Sequence, residues 1–230
     1  MPIGVFDSGH GGLTVWRALA ARLPEQGFLY LGDHAHAPYG EHSPEEITAL
    51  TRAGVARLFE SGCKLVVLAC NTAAAVALRR LQEDWLPGLP ERRVLGIFVP
   101  TVEALTGVAW TQDPPPRAAT PEDPRKTVAV FATTRTVESG AYGREIRRRA
   151  PGFTVIEVAC PGLVAAIEGQ ADAAELEGLV AGFCAELERR RGGAALDAVV
   201  LGCTHFPLVE AQFRAALPVE APLLSQSGLV

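Results

Sequence analysis

Two heptapeptides decide how this chain reads: Val66-Val67-Leu68-Ala69-Cys70-Asn71-Thr72 and Val199-Val200-Leu201-Gly202-Cys203-Thr204-His205. Each opens with three aliphatic residues, the composition of a strand buried on both faces. Each then passes a small residue and sets a cysteine before a polar pair, where a strand gives way to a helix or turn. Two further segments recur upstream in the same order. Ile3-Gly4-Val5-Phe6-Asp7-Ser8 resembles Val128-Ala129-Val130-Phe131-Ala132-Thr133, and residues 28–31 have a counterpart at 154–158. Asp7 lies 63 positions before Cys70 and Ala132 lies 71 before Cys203. The chain reads as a duplication, with two similar three-strand units related by approximate two-fold symmetry.

Outward from these anchors, strand-like runs at residues 3–6, 28–31, 64–69, 94–98, 127–131, 154–158 and 198–201 alternate with helical patterns. That alternation defines an α/β fold of parallel sheets flanked by helices. Ser43-Pro44-Glu45-Glu46 is a helix start, with a capping Ser, a first-position Pro and a third-position Glu, and it opens a helix running towards Gly62. Residues 112–126 contain five prolines among polar residues and read as a flexible loop or interdomain connection. The expected division is a first α/β domain of residues 1–98 plus 212–230 and a second of residues 99–211. The active site falls in the cleft between them.

The 230 residues, 48% hydrophobic and 20% charged, suffice for one large domain or two small ones. A net charge of −5 argues against nucleic acid as a partner. The four arginines within residues 144–149 read as the solvated face of a helix. The first residues enter an apolar strand with no charged leader, and no run approaches the roughly 18 apolar residues of a membrane span. A cytoplasmic protein without membrane contact is expected. Five cysteines, odd in number and without C-x-x-C spacing, read as reduced thiols. His34, His36 and His42 share one loop but lack zinc-site spacing, so no metal is expected.

In open parallel sheets ligands bind beyond the carboxyl ends of the strands, where both Cys70 and Cys203 fall. The free N–H groups of a helix start stabilise a thiolate, and a thiol so placed can drop from about 8.5 into a range of about 3.5 to 7.5. A lowered pKa is therefore expected for both. Two equivalent strand ends meeting at a cleft place one thiol on each side of a ligand. Inverting a carbon centre needs that arrangement, one group removing a proton from one face and another delivering a proton to the opposite face. No lysine and phosphate-cradle signature of a pyridoxal enzyme is present. Asp7, Ser8 and Gly9 follow the first strand ahead of Gly11-Gly12, and Asn71, Thr72, Thr204 and His205 follow the two cysteines as donors for a carboxylate and an amine. His205 is a proton partner for Cys203. Cys63, Cys160 and Cys184 lack polar followers and read as buried structural thiols.

At this point the chain resembles the glutamate racemases of the cofactor-independent aspartate/glutamate racemase superfamily. The motifs that carry the resemblance are Phe6-Asp7-Ser8-Gly9 with Gly11-Gly12-Leu13, Tyr30-Leu31-Gly32-Asp33 with Pro38-Tyr39-Gly40, Ala69-Cys70-Asn71-Thr72-Ala73, and Gly202-Cys203-Thr204-His205-Phe206-Pro207-Leu208. Ala132-Thr133, Thr136-Val137 and Ser139-Gly140-Ala141-Tyr142 are similar to a further family segment.

The resemblance implies that Cys70 and Cys203 exchange the α-proton of glutamate, assisted by Asp7, His205 and Glu168, without a cofactor. It implies that Asp7, Ser8, Pro38, Tyr39, Gly40, Asn71, Thr72, Thr204 and His205 hold the substrate. It also implies two α/β domains, a homodimer, and a role in supplying D-glutamate for peptidoglycan. Three departures stand out. After Cys160-Pro161, residues 162–166 are small and only Glu168 remains of a usual glutamate pair; Gln226 stands where an Asp usually precedes Ser-Gly; and the proline-rich insert is no family feature. The rival readings are an aspartate or hydantoin racemase, a decarboxylase, or a noncatalytic amino-acid-binding module. Two retained thiols argue against the last two.

Overall fold

The computed structural model describes residues 1–112, 114–217 and 221–229. Asp113 of the insert, and residues 218–220 and 230 of the segment assigned to the first domain, lie outside them. The first half runs β1 (Ile3–Asp7), α1 (Leu13–Arg22), β2 (Phe28–Gly32), α2 (Pro44–Glu60), β3 (Leu65–Leu68), α3 (Asn71–Arg80), β4 (Arg93–Gly96) and α4 (Phe98–Thr106). The second runs β5 (Thr127–Ala132), α5 (Thr134–Ser139), α6 (Ala141–Arg149), β6 (Thr154–Ala159), α7 (Leu163–Glu168), α8 (Ala173–Arg191), β7 (Ala198–Leu201), α9 (Glu210–Ala216), β8 (Leu223–Ser225) and α10 (Gln226–Leu229).

Two four-stranded parallel sheets result, ordered β2-β1-β3-β4 and β6-β5-β7-β8. The duplication extends to individual hydrogen bonds. Phe6 is in register with Leu68, and Phe131 with Leu201. One residue beyond each pair, Ala69 N donates to Phe6 O at 2.8 Å and Gly202 N to Phe131 O at 2.7 Å. Cys70 and Cys203 are the next residues, so the ladder delivers both to the same level of their sheets. Each repeat has a fourth strand beyond the three matched in sequence. The apolar run 94–98 is divided, because β4 ends at Gly96 and Phe98 opens α4. An apolar run this short fits a buried helix start as well as a strand.

The expected domain boundary differs at the chain's end. Residues 212–230 were assigned to the first unit, yet β8 pairs with β7 in the second sheet, and Phe213 of α9 packs on Phe131 and Phe206 at 4.9 and 5.9 Å. Among the described residues α10 crosses back, against α1 and α4. The two halves also share a core, in which Phe98 of α4 meets Tyr142 of α6 at 5.6 Å and Val128, Val130 and Ile146 join the residues behind β3. The insert links the two sheets and is pinned: Asp123 pairs with Arg117, and Pro114 O accepts from Arg148 Nε at 3.0 Å. Arg149 departs from the expected solvated arginine face. It is buried, paired with Glu145 at 2.6 Å and stacked on the Trp110 ring at 4.0 Å, while Arg144 and Arg147 are exposed. Among the described residues, no helix is long and apolar enough to cross a membrane.

The expected capping box opens α2: Glu46 N donates to Ser43 Oγ, and Glu46 Oε2 accepts from Ser43 N at 2.8 Å. This helix lies on β1 through Gly54, where a Cβ would collide with the Phe6 ring. Gly to Ala inside a helix ordinarily stabilises. Here overpacking reverses the sign, and Gly54→Ala is expected to destabilise by about 2 kcal/mol, read as a lowered urea midpoint with unchanged m-value.

Candidate active site

The ends of β1, β3, β5 and β7 converge on one cavity of about 160 Å³. Ser8, Pro38, Tyr39, Gly40, Cys70, Asn71 and Thr72 line it from the first half, and Thr133, Cys160, Glu168, Cys203, Thr204 and His205 from the second. The sequence-predicted residues are thus brought together, and the two thiols line the same space. Asp7 is the exception: it is fully buried and lies outside the lining. Its Oδ2 accepts from Gly9 N at 3.0 Å, and a Cβ on Gly12 would fall within 2.6 Å of its side chain. A loop without side chains at Gly11 and Gly12 is what lets the backbone close over this carboxylate and beneath Thr204 and His205.

Cys70 caps α3. Its Sγ accepts from Ala73 N at 3.4 Å and lies 3.4 Å from Ser8 Oγ. Cys203 Sγ lies 3.8 Å from His205 Nδ1, and His205 Nε2 is 2.9 Å from Glu168 Oε1. This chain of contacts gives Glu168 a defined place behind the second thiol. The expected lowering of the thiol pKa values is not what the folded protein produces. Burial pushes Cys70 up to about 11, with the Asp7 charge adding to the rise, against the hydrogen bonds from Ser8 and Ala73. Burial likewise raises Cys203, with further increments from Cys70 and Asp7, against the N–H groups of His205 and Phe206. Desolvation of a small anion outweighs the helix-start field. Asp7 is itself raised by burial, opposed by the N–H groups of Gly12 and Gly9.

Several contacts at the site carried no sequence signal of their own. Thr133 Oγ1 lies 2.9 Å from Thr72 Oγ1 and 3.0 Å from Thr136 Oγ1, a buried hydroxyl cluster joining the two halves beside the cavity. Tyr39 Oη donates to Asp33 Oδ2 at 2.8 Å. Asn71 Oδ1 is held by Tyr142 and Gln226. Cys160, read as structural, also lines the cavity, with its thiol turned back to Val158 O at 3.7 Å. The remaining histidines of the loop are engaged locally, His36 with Asp33 at 2.9 Å and His34 against His10 at 3.8 Å.

Paired strand ends from two matched sheets, each carrying a thiol to one cavity, define a class. The chain belongs to the Asp/Glu/Hydantoin racemase family, whose model matches residues 12–224. Within it the chain falls with the glutamate racemases. It is 50% identical to the glutamate racemase of Cereibacter sphaeroides over 230 residues, covering 100% of this chain and 82% of the relative. Among solved structures it is similar to a glutamate racemase from Bacillus anthracis, with a TM-score of 0.83 at 30% identity over 99% of this chain and 77% of the other. It is also similar to the Francisella tularensis glutamate racemase in complex with D-glutamate, with a TM-score of 0.79 at 27% identity over 98% of this chain and 76% of the other.

With its pKa at about 11, the Cys70 thiolate fraction rises with pH throughout the neutral range. Iodoacetamide labelling of Cys70 in ligand-free protein, followed by peptide mass spectrometry, is expected to accelerate roughly tenfold per pH unit between pH 7 and 9. A rate that levels off below pH 8 contradicts the raised pKa.

Proposed function

We propose that this protein interconverts L- and D-glutamate by a two-base mechanism in which Cys70 and Cys203 act from opposite faces of the α-carbon, one as thiolate base and the other as thiol acid. The observation that carries the reading is the placement of both sulfurs at matched strand ends on one cavity. The roles of base and acid exchange with the direction of reaction, as microscopic reversibility requires.

In this scheme burial keeps both thiols protonated until the substrate arrives. The ammonium group of a bound amino acid then supplies a positive charge in the cavity and favours ionisation of the thiol beside it, whose proton passes to solvent as the substrate enters. Once formed, the thiolate is poorly solvated and therefore a strong base. Asp7 sits under the loop next to Cys70 and answers the same ammonium charge. His205, oriented by Glu168, moves the proton at Cys203. Ser8, Pro38, Tyr39, Gly40, Asn71, Thr72 and Thr204 hold the substrate, with hydroxyl, amide and backbone groups directed at its carboxylates.

A supply of D-glutamate for peptidoglycan, cytoplasmic residence and a homodimer form part of the same proposal, resting on the chain's likeness to glutamate racemases. An assay of both enantiomers of glutamate and of aspartate by circular dichroism separates this reading from an aspartate racemase. Cys70→Ser and Cys203→Ser are each expected to lower kcat for glutamate by about 10²–10⁴-fold. Full activity in either variant defeats the two-base assignment.

A further inference from the structure

Asn71 enters the cavity at the start of α3, and its amide is gripped from behind by two buried groups outside the proton-transfer scheme. Tyr142 Oη donates to Asn71 Oδ1 at 2.8 Å. Gln226, the first residue of α10 and 1% exposed, donates through Nε2 to the same oxygen at 3.2 Å and to Tyr142 Oη at 2.9 Å. The three groups close a ring. Asn71 Nδ2 and Gln226 Oε1 are the amide atoms left without a hydrogen bond, and both are buried.

Such a ring has two polarities. With both amides turned over, Asn71 would donate to Tyr142 and Gln226, and its carbonyl would be the unpaired group. The choice decides whether Asn71 offers a ligand N–H donors or an acceptor. A carboxylate is served only by the former, and an unpaired carbonyl against it is repulsive.

We propose that Gln226 is a positioning residue that sets this polarity: by committing both Nε2 hydrogens to Asn71 Oδ1 and Tyr142 Oη, it leaves Asn71 Nδ2 as a donor to a carboxylate of the bound amino acid. The inference rests on the glutamate reading above and names how one binding residue of that site is oriented. The donor amide of residue 226, at the reach of a Gln side chain, is the operative property. A carboxylate of the same reach only accepts, so it accepts the hydrogen bond of Tyr142 Oη and turns the Asn71 amide over. An apolar side chain of the same length leaves Tyr142 free to donate or to accept, so the Asn71 amide turns over in only part of the molecules.

Three variants test this by calorimetric titration with D-glutamate and by steady-state racemisation, with thermal unfolding as the check on folding. Gln226→Glu is expected to weaken D-glutamate binding and raise KM by about thirty-fold while kcat changes by less than about three-fold, the loss of one donor to a charged group. Gln226→Met removes more hydrogen bonds yet is expected to raise KM only about three-fold, because the amide turns in only part of the molecules. Asn71→Asp, which keeps both donors satisfied but presents an oxygen to the ligand, is expected to match Gln226→Glu. Equal effects of Glu and Met at 226, or wild-type affinity in Gln226→Glu or Asn71→Asp, overturn the assignment. A wild-type protein that neither binds nor racemises glutamate overturns the substrate reading, and this inference with it.

Discussion

Everything at this site depends on the register of two strand pairs. The bond from Ala69 to Phe6 and its twin from Gly202 to Phe131 hold the ends of β3 and β7 at matched heights, one residue before each cysteine. Two-base inversion of a tetrahedral carbon needs groups on opposite faces, so their heights must agree to within the length of a hydrogen transfer. Because side-chain direction alternates along a strand, a slip of one residue in either sheet would turn that cysteine away from the cavity. In β3 buried and half-buried residues alternate, so such a slip would also exchange its buried and half-buried side chains. The hydroxyl cluster of Thr72, Thr133 and Thr136 then ties the two sheets to each other directly beside the thiols.

The electrostatics of the cavity follow from burial more than from helix ends. Both sulfurs receive backbone N–H bonds, and both thiols nevertheless sit above their ordinary pKa. A pocket that holds its acids neutral is suited to a base generated only when a cationic group enters. That couples ionisation to binding and limits unproductive thiolate chemistry in the empty protein. The same burial leaves Asp7 with Oδ1 unpartnered beneath the loop, a strained arrangement for a carboxylate and one that favours a positive charge above it.

How much of this was legible in the sequence depends on whether the deciding interaction is local. The strand ends, the two Cys motifs and the Ser43 capping box are local patterns, and each lies where its residues indicate. β8 is three residues long and shows neither alternation nor an apolar run sufficient to separate it from a loop, so its pairing with β7 has no signal in the sequence. Arg149 is buried because Trp110, 39 residues earlier, offers a ring to stack on. Gln226 and Asn71 are 155 positions apart, and neither residue type announces the other. The thiol pKa values depend on the balance of burial against N–H donors, which no spacing reveals. Glu168 is an intermediate case: the resemblance pointed to it, and its contact with His205 Nε2 supplies the physical reason.

The most direct measurement follows deuterium from solvent during the first few per cent of reaction. When protiated L-glutamate is supplied in D2O, two opposed thiols place deuterium on the α-carbon of the D product from the first turnover and leave the remaining L-glutamate protiated. D product that retains protium, or label entering the L pool as fast as it enters the product, would mean a single group serving both faces and would contradict the paired-thiol geometry.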